Sequence, residues 1–169
     1  MSLLTQQQQN EVIEYTELKI AHAATILKKS YPNIPIKFDL TGRTIGMYKS
    51  WQAGQVIRYN PIIFAKYFSD NLKNTVPHEV AHYIVDKHYG RQATRPHGRE
   101  WLSLVIALGG DGKRTAQYDL SGVAVRRYST VRYTCNCQVH ELGIRRHNKV
   151  TRGLATYACR QCAGQLIQV

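Results

Sequence analysis

The stretch His78-Glu79-Val80-Ala81-His82 constrains this chain more than any other. Four residues along an α-helix rotate about 400°, so histidines at that spacing share one face, one turn apart. Imidazoles so placed both reach one Zn²⁺ at roughly 2.0–2.1 Å. Glu79 lies about 100° round the helix from His78. That puts it beside such a metal rather than bonded to it, where a carboxylate can take a proton from an attacking water. Two solvated surface histidines would show the same spacing, but the run over 75–89 is amphipathic. Thr75 as cap, Pro77 in the first turn and Gly90 as the stop bound a predicted helix there.

A hydrolytic zinc site needs a third protein ligand and an open position. The glycine-containing metzincin spacing fails, because position 85 is Val and no glycine turn precedes His88. His88 itself, six residues past His82, faces away from the shared stripe and reads as a solvated residue near the helix end. His97 follows a basic loop long enough to fold back and opens the next predicted helix, 97–108. Glu100, one turn on, is the alternative ligand, and His97 is favoured. Trp101 is placed to back His97, and Trp51 reads as core. Tyr83 and Tyr89 read as packing or surface residues outside the site.

The rest of residues 1–122 reads as α+β. Helical periodicity covers 5–29, strands are expected at 34–40, 45–50 and 55–59, and Asn60-Pro61 starts a short helix to about 69. Polar, turn-rich residues 111–122 place a module boundary, giving modules 1–122 and 123–169. After it, VAVRRYSTVRYTC, ATYAC and QLIQV read as short strands.

All four cysteines, 135, 137, 159 and 162, fall in the second module. Cys159-x-x-Cys162 is a zinc-knuckle spacing, in which both thiolates converge on one tetrahedral ion. Its partner is irregular. Either Cys135 and Cys137 both ligate to give a four-cysteine site, or Cys137 pairs with His140, or the module is degenerate and metal-free. A metal-bound version would be closed and structural, stabilising a module too small for its own core.

Charge is just as asymmetric. The chain carries a formal +12, and residues 126–169 hold eight basic residues against Glu141 alone. Arg126, Arg127, Arg132, Arg145, Arg146, Lys149, Arg152 and Arg160 are interleaved with Tyr128, Tyr133 and Tyr157. Arginine forks bind phosphates and tyrosines stack on bases, so nucleic acid, DNA first, is the expected partner. His147 reads as a surface residue of the same patch. No membrane-length apolar run occurs, and the N-terminus has neither the basic nor the apolar part of a secretory signal. A cytoplasmic monomer is the expectation.

The run TVPHEVAHYIVDKHYG, the later PHGREW and the tail YTC…YACRQC resemble the SprT family, which includes metazoan Spartan. That resemblance covers the chain from about residue 10 onward. It implies a small zincin, helices packed on a three-stranded sheet, followed by a zinc ribbon. It also implies His78, His82 and His97 as ligands of a catalytic zinc and Glu79 as the base, with a second zinc in the ribbon. Spartan relatives digest proteins crosslinked to DNA, so the resemblance implies protein substrates associated with nucleic acid. The rival reading is a non-catalytic, zinc-containing nucleic-acid-binding regulator. A fourth protein ligand closing the His78/His82 site would favour it.

Overall fold

The computed structural model describes residues 3–90, 93–123 and 129–169. They form two compact units, Met1–Val125 and Arg126–Val169. Both mix helix with a small three-stranded sheet.

The first unit begins with α1 (Gln6–Leu27). Thr5 and Gln8 cap it reciprocally, each side chain satisfying the other's backbone N–H, so the glutamine run supplies the first helical turn. Its buried stripe, Val12, Thr16, Ile20 and Ala23, repeats at helical spacing. Three strands follow: β1 (Ile36–Lys37), β2 (Gly46–Trp51) and β3 (Gly54–Tyr59), in the order β1-β3-β2. β2 and β3 form an antiparallel hairpin, and β1 runs parallel to β3.

The strand expected over 34–40 is thus only two residues long. Ile36 and Lys37 pair with Ile57 and Arg58; outside them the segment's backbone is bonded to β3 from Ile57 N–H to the Pro35 carbonyl and from Leu40 N–H to the Tyr59 carbonyl, and Asp39 accepts from Arg58 Nε. Its apolar alternation is real, yet Ile34, Ile36 and Phe38 pack against the core without a continuing ladder. Trp51, read as core, lies at the hairpin end and is exposed, with Lys49 Nζ 5.8 Å from its ring centre.

Asn60 caps α2 (Pro61–Lys66) by accepting from the N–H groups of Ile62 and Ile63. The helix expected to reach 69 breaks at Tyr67, whose φ/ψ of −129°/48° leaves the helical region. Asn71 stitches the break, its side-chain amide donating to the carbonyls of Ile63 and Tyr67. The chain re-enters helix at α3 (Phe68–Asp70), widens into a π-helical turn over Asn71–Thr75 and continues as α4 (Val76–Tyr89). Thr75 is therefore helical and caps nothing. The wide turn answers Pro77, which lacks an N–H and crowds the carbonyl four residues back.

α4 packs against α1, β2 and α5 (Arg99–Ala107), so its inner face, with Val80, Ala81, Tyr83 and Ile84, lies at the centre of the core. His88 is not simply solvated: its Nδ1 lies 2.5 Å from the Tyr31 hydroxyl. Tyr83 is fully buried and donates to the Pro32 carbonyl, whereas Tyr89 is exposed.

The second unit holds β4 (Thr130–Thr134), β5 (Val139–Gly143) and β6 (Ile167–Gln168), in the order β5-β4-β6. The ATYAC segment makes only a single bridge, Ala158 to Gln165, instead of the expected strand. Between β5 and the second cysteine pair lies a helix that the sequence reading lacks, α6 (Ile144–Thr151). Among its described residues four form the buried core, Tyr133, Leu142, Cys159 and Leu166.

Candidate metal centre

α4 and the turn before α5 bring three imidazoles together. Nε2 of His82 lies 3.2 Å from that of His78 and 3.0 Å from that of His97, and the His78–His97 separation is 3.2 Å. Ligands about 2.05 Å from one tetrahedral ion stand roughly 3.3 Å apart, so the three nitrogens have the spacing of donors to a common metal. Burial, then the neighbouring rings, lowers His78 to about 4 and His82 to about 3. Burial, then Arg114, lowers His97. Neutral imidazoles keep a lone pair for a metal, so donor chemistry and spacing both fit zinc.

His97 does not begin a helix. It stands two residues before α5 with φ of 55°, a left-handed conformation that non-glycine residues seldom adopt, and this turns its ring back toward α4. Glu100 lies outside the cluster, which among the described residues comprises His78, His82 and His97. Trp101 backs all three rings, at centroid distances of 4.7 Å (His78), 5.5 Å (His82) and 4.6 Å (His97), and donates its indole N–H to the His78 carbonyl.

Glu79 is 5% exposed, and burial pushes its carboxyl up to about 8 although the Tyr48 N–H opposes the shift. That N–H donates to Glu79 Oε2 at 2.6 Å. The Tyr48 hydroxyl meanwhile donates to Asp86, one turn beyond His82, and accepts from Gln55. One residue of β2 therefore holds two points of α4. Gly46, two residues earlier, leaves the space the carboxylate occupies: a Cβ there would stand 2.7 Å from Glu79 Oε1. Sequence reasoning missed both residues. Both read there only as members of the strand expected over 45–50.

The comparisons agree on the lineage of this arrangement. Residues 16–119 match the SprT-like family model, a span that holds the whole histidine cluster. The chain is 38% identical to Protein SprT of Escherichia coli O157:H7 over 160 residues, covering 94% of this chain and 93% of that protein. Protein SprT of E. coli strain SMS-3-5 and that of E. coli O1:K1 match with the same identity and coverage. This chain belongs to the SprT family. No solved structure matches it.

In this SprT-family chain the four cysteines also converge. Their sulfurs all lie within 4.8 Å of one another, with Cys135–Cys137 at 3.3 Å and Cys137–Cys159 at 3.6 Å. Tetrahedral thiolates about 2.3 Å from an ion stand about 3.8 Å apart, so this donor set also fits zinc. Backbone N–H groups of Cys162 and Gln161 lower Cys159 to about 5, and the Cys137 backbone, then His140, lowers Cys135 to about 7. The neighbouring sulfurs push Cys137 up, the repulsion a bound cation relieves. His140 Nε2 stands 3.3 Å from Cys135 Sγ, outside the mutual group of four cysteine sulfurs.

The described basic residues of this unit lie on different elements. Arg126, Arg127 and Tyr128 lie outside the described residues. Arg132 is exposed on β4 and pairs with Glu141 at 3.4 Å. Arg145, Arg146 and Lys149 lie on α6 and Arg152 is its C-cap. Arg145, Lys149 and Arg152 follow the four- and three-residue steps of one helical face. Arg146 instead lies 5.7 Å from the Tyr157 ring centre. Tyr133 is buried, so it cannot stack on a base, and its hydroxyl lies 3.1 Å from His147 Nδ1. Among the described residues no helix is long and apolar enough to cross a membrane.

Proposed function

We propose that this chain is a zinc-dependent metallopeptidase with a zincin-like unit over 1–122 and a basic zinc-ribbon unit over 123–169. The observation that carries this reading is a buried carboxylate, Glu79, next in sequence to one of three neutral imidazoles whose Nε2 atoms lie 3.0–3.2 Å apart. His78, His82 and His97 would hold one zinc, and Cys135, Cys137, Cys159 and Cys162 a second, structural one. The first would supply Lewis acidity toward water and the scissile carbonyl. Glu79 accepts the proton of the attacking water and delivers it to the leaving amine. A carboxyl held high by burial is suited to both transfers near neutral pH. The Tyr48 N–H keeps the carboxylate oriented, and Trp101 keeps the imidazoles in register.

The second unit recruits nucleic acid, DNA first, through Arg145, Lys149 and Arg152, so substrates are proteins associated with nucleic acid. This part of the reading rests on charge and placement. A cytoplasmic location and a monomeric state complete it.

The test is cleavage of a DNA-binding protein with and without single-stranded DNA, comparing the native chain with Glu79→Gln. The substitution keeps all three histidines and removes the base. DNA-stimulated cleavage that disappears in Glu79→Gln is the expected result. Absence of cleavage in both, with zinc and DNA still bound, would leave a binding protein with a structural metal.

A further inference from the structure

The three imidazoles stand between two cavities of the first unit. His82 and His97 line the smaller, of about 230 Å³, and His78 and Glu79 line a cleft of about 920 Å³. The larger cleft holds Arg43, Lys73, Lys113 and Arg114 together with Asp70 and Asp111. Of its two aspartates, Asp111 is charge-paired, whereas Asp70 accepts from neutral donors and keeps its charge. Asp70 accepts from the Tyr118 hydroxyl and, at 2.9 Å, from the Asn74 amide. Asp111 pairs with Lys113 at 3.1 Å, and Glu79 accepts the Tyr48 N–H. Three cations are not committed. Arg43, Lys73 and Arg114 are exposed and take part in none of the four ion pairs formed among the described residues.

Set against Asp70, these three cations leave an excess of positive charge, and such an excess in the walls of a concavity focuses its field into it and strengthens once a ligand displaces water. We propose that this cleft selects protein substrates carrying Asp or Glu side chains beside the bond to be cut, with Arg43, Lys73 and Arg114 as the specificity-determining cations. The inference rests on the hydrolytic reading above and names its substrate class. A nucleic-acid strand also presents anions to cations, but it brings no peptide carbonyl to the wall that carries His78 and Glu79. The same cations repel basic, phosphate-contacting segments, so cleavage of a DNA-binding protein falls in acidic stretches away from its nucleic-acid surface.

The test uses the full, zinc-loaded chain. Fluorescence anisotropy at low salt measures binding to the Glu79→Gln form of a short glutamate-rich peptide, its glutamine counterpart and a short single-stranded oligonucleotide. The glutamate peptide is expected to bind about tenfold more tightly than the glutamine one. Adding Arg43→Gln, Lys73→Gln and Arg114→Gln brings the ratio close to one, and Arg114→Gln alone narrows it. Circular dichroism melting verifies that the fold persists. With Glu79 intact, cuts mapped on a mixed peptide digest are expected to show Asp and Glu enriched on one side of the bond, and the triple substitution erases the enrichment. Cleavage without acidic enrichment overturns the inference and leaves the peptidase reading standing. Absence of cleavage, with acid-selective binding that the triple substitution abolishes, supports the cleft's selectivity and overturns the peptidase reading. Equal binding of both peptides, with oligonucleotide binding lost in the triple variant, overturns the inference in favour of nucleic acid.

Discussion

The backbone N–H of Tyr48 donates to Glu79 Oε2 at 2.6 Å, joining the strand that borders the cleft to the carboxylate that would serve as base. The contact depends on close approach of β2 to α4. Gly46 provides it, since a Cβ there would lie 2.8 Å from both Glu79 Cγ and Thr75 Cγ2. Gly46→Ala is expected to displace the carboxylate and lower kcat/KM by about a hundredfold, the scale of a misplaced catalytic group. Zinc content should stay at the native level, because the three atoms nearest the new methyl belong to Glu79 and Thr75 and to no histidine. Turnover beside metal analysis checks this, and unchanged turnover would sink it.

Tyr48→Phe separates the two roles of that residue. The N–H that holds Glu79 survives, while the hydroxyl's bonds to Asp86 and Gln55 are lost. Removing a partner from a half-buried carboxylate should cost about 1–3 kcal/mol. Activity is expected to fall less than tenfold, far less than for Gly46→Ala. Denaturant titration beside kinetics distinguishes the two variants, and equal losses in both would mean the hydroxyl itself takes part in the chemistry.

How much of this was readable beforehand follows from how local each signal is. His78, Glu79 and His82 declare themselves because helical periodicity alone fixes their relation. His97 needed only a loop of sufficient reach, although its left-handed turn is a tertiary adjustment. Tyr48 was invisible, because a backbone N–H has no side-chain signature and its use depends on which strand meets α4. The π-helical turn was misread as a helix start, because Thr75 and Pro77 imitate a cap and a first-turn proline. α6 escaped because it buries no residue completely, so no apolar stripe marks it. Its basic residues were noticed as charge, without the helix that aligns three of them.

Trp101 touches each histidine and is 2% exposed. Trp101→Ala should destabilise the first unit by about 3–5 kcal/mol, and Trp101→Phe by less because most of the volume is kept. Both lose the indole bond to the His78 carbonyl, and the Ala variant also loses the flat surface behind the rings. Zinc affinity is therefore expected to fall by about 10–100-fold even in the Phe variant. Competition with a chromophoric chelator reads the affinity, and native affinity in Trp101→Phe would show that the ring is packing only.

Among its described residues the second unit has four buried core residues, one of them Cys159 itself, so its stability should depend on the metal. Chelation of the full chain is expected to remove amide protection from β4, β5 and α6 while α1 and α4 keep theirs. Cys159→Ser should do the same without a chelator. Hydrogen exchange with peptide-level resolution measures both. Protection in β4 and β5 that survives metal removal would contradict a structural zinc.

Arg145, Lys149 and Arg152 share one face of α6 and its cap, the arrangement that lets three cations follow one phosphate backbone. Replacing all three with Gln should weaken nucleic-acid binding uniformly across sequences. Each phosphate contact contributes about 0.7–0.9 to the slope of log K against log salt, so the slope should become shallower by about two to three. Arg132→Gln is the comparison, since Arg132 already pairs with Glu141 and should change the slope little. Titrations at several salt concentrations decide the matter. A triple variant with the native slope would move the nucleic-acid surface off α6 altogether.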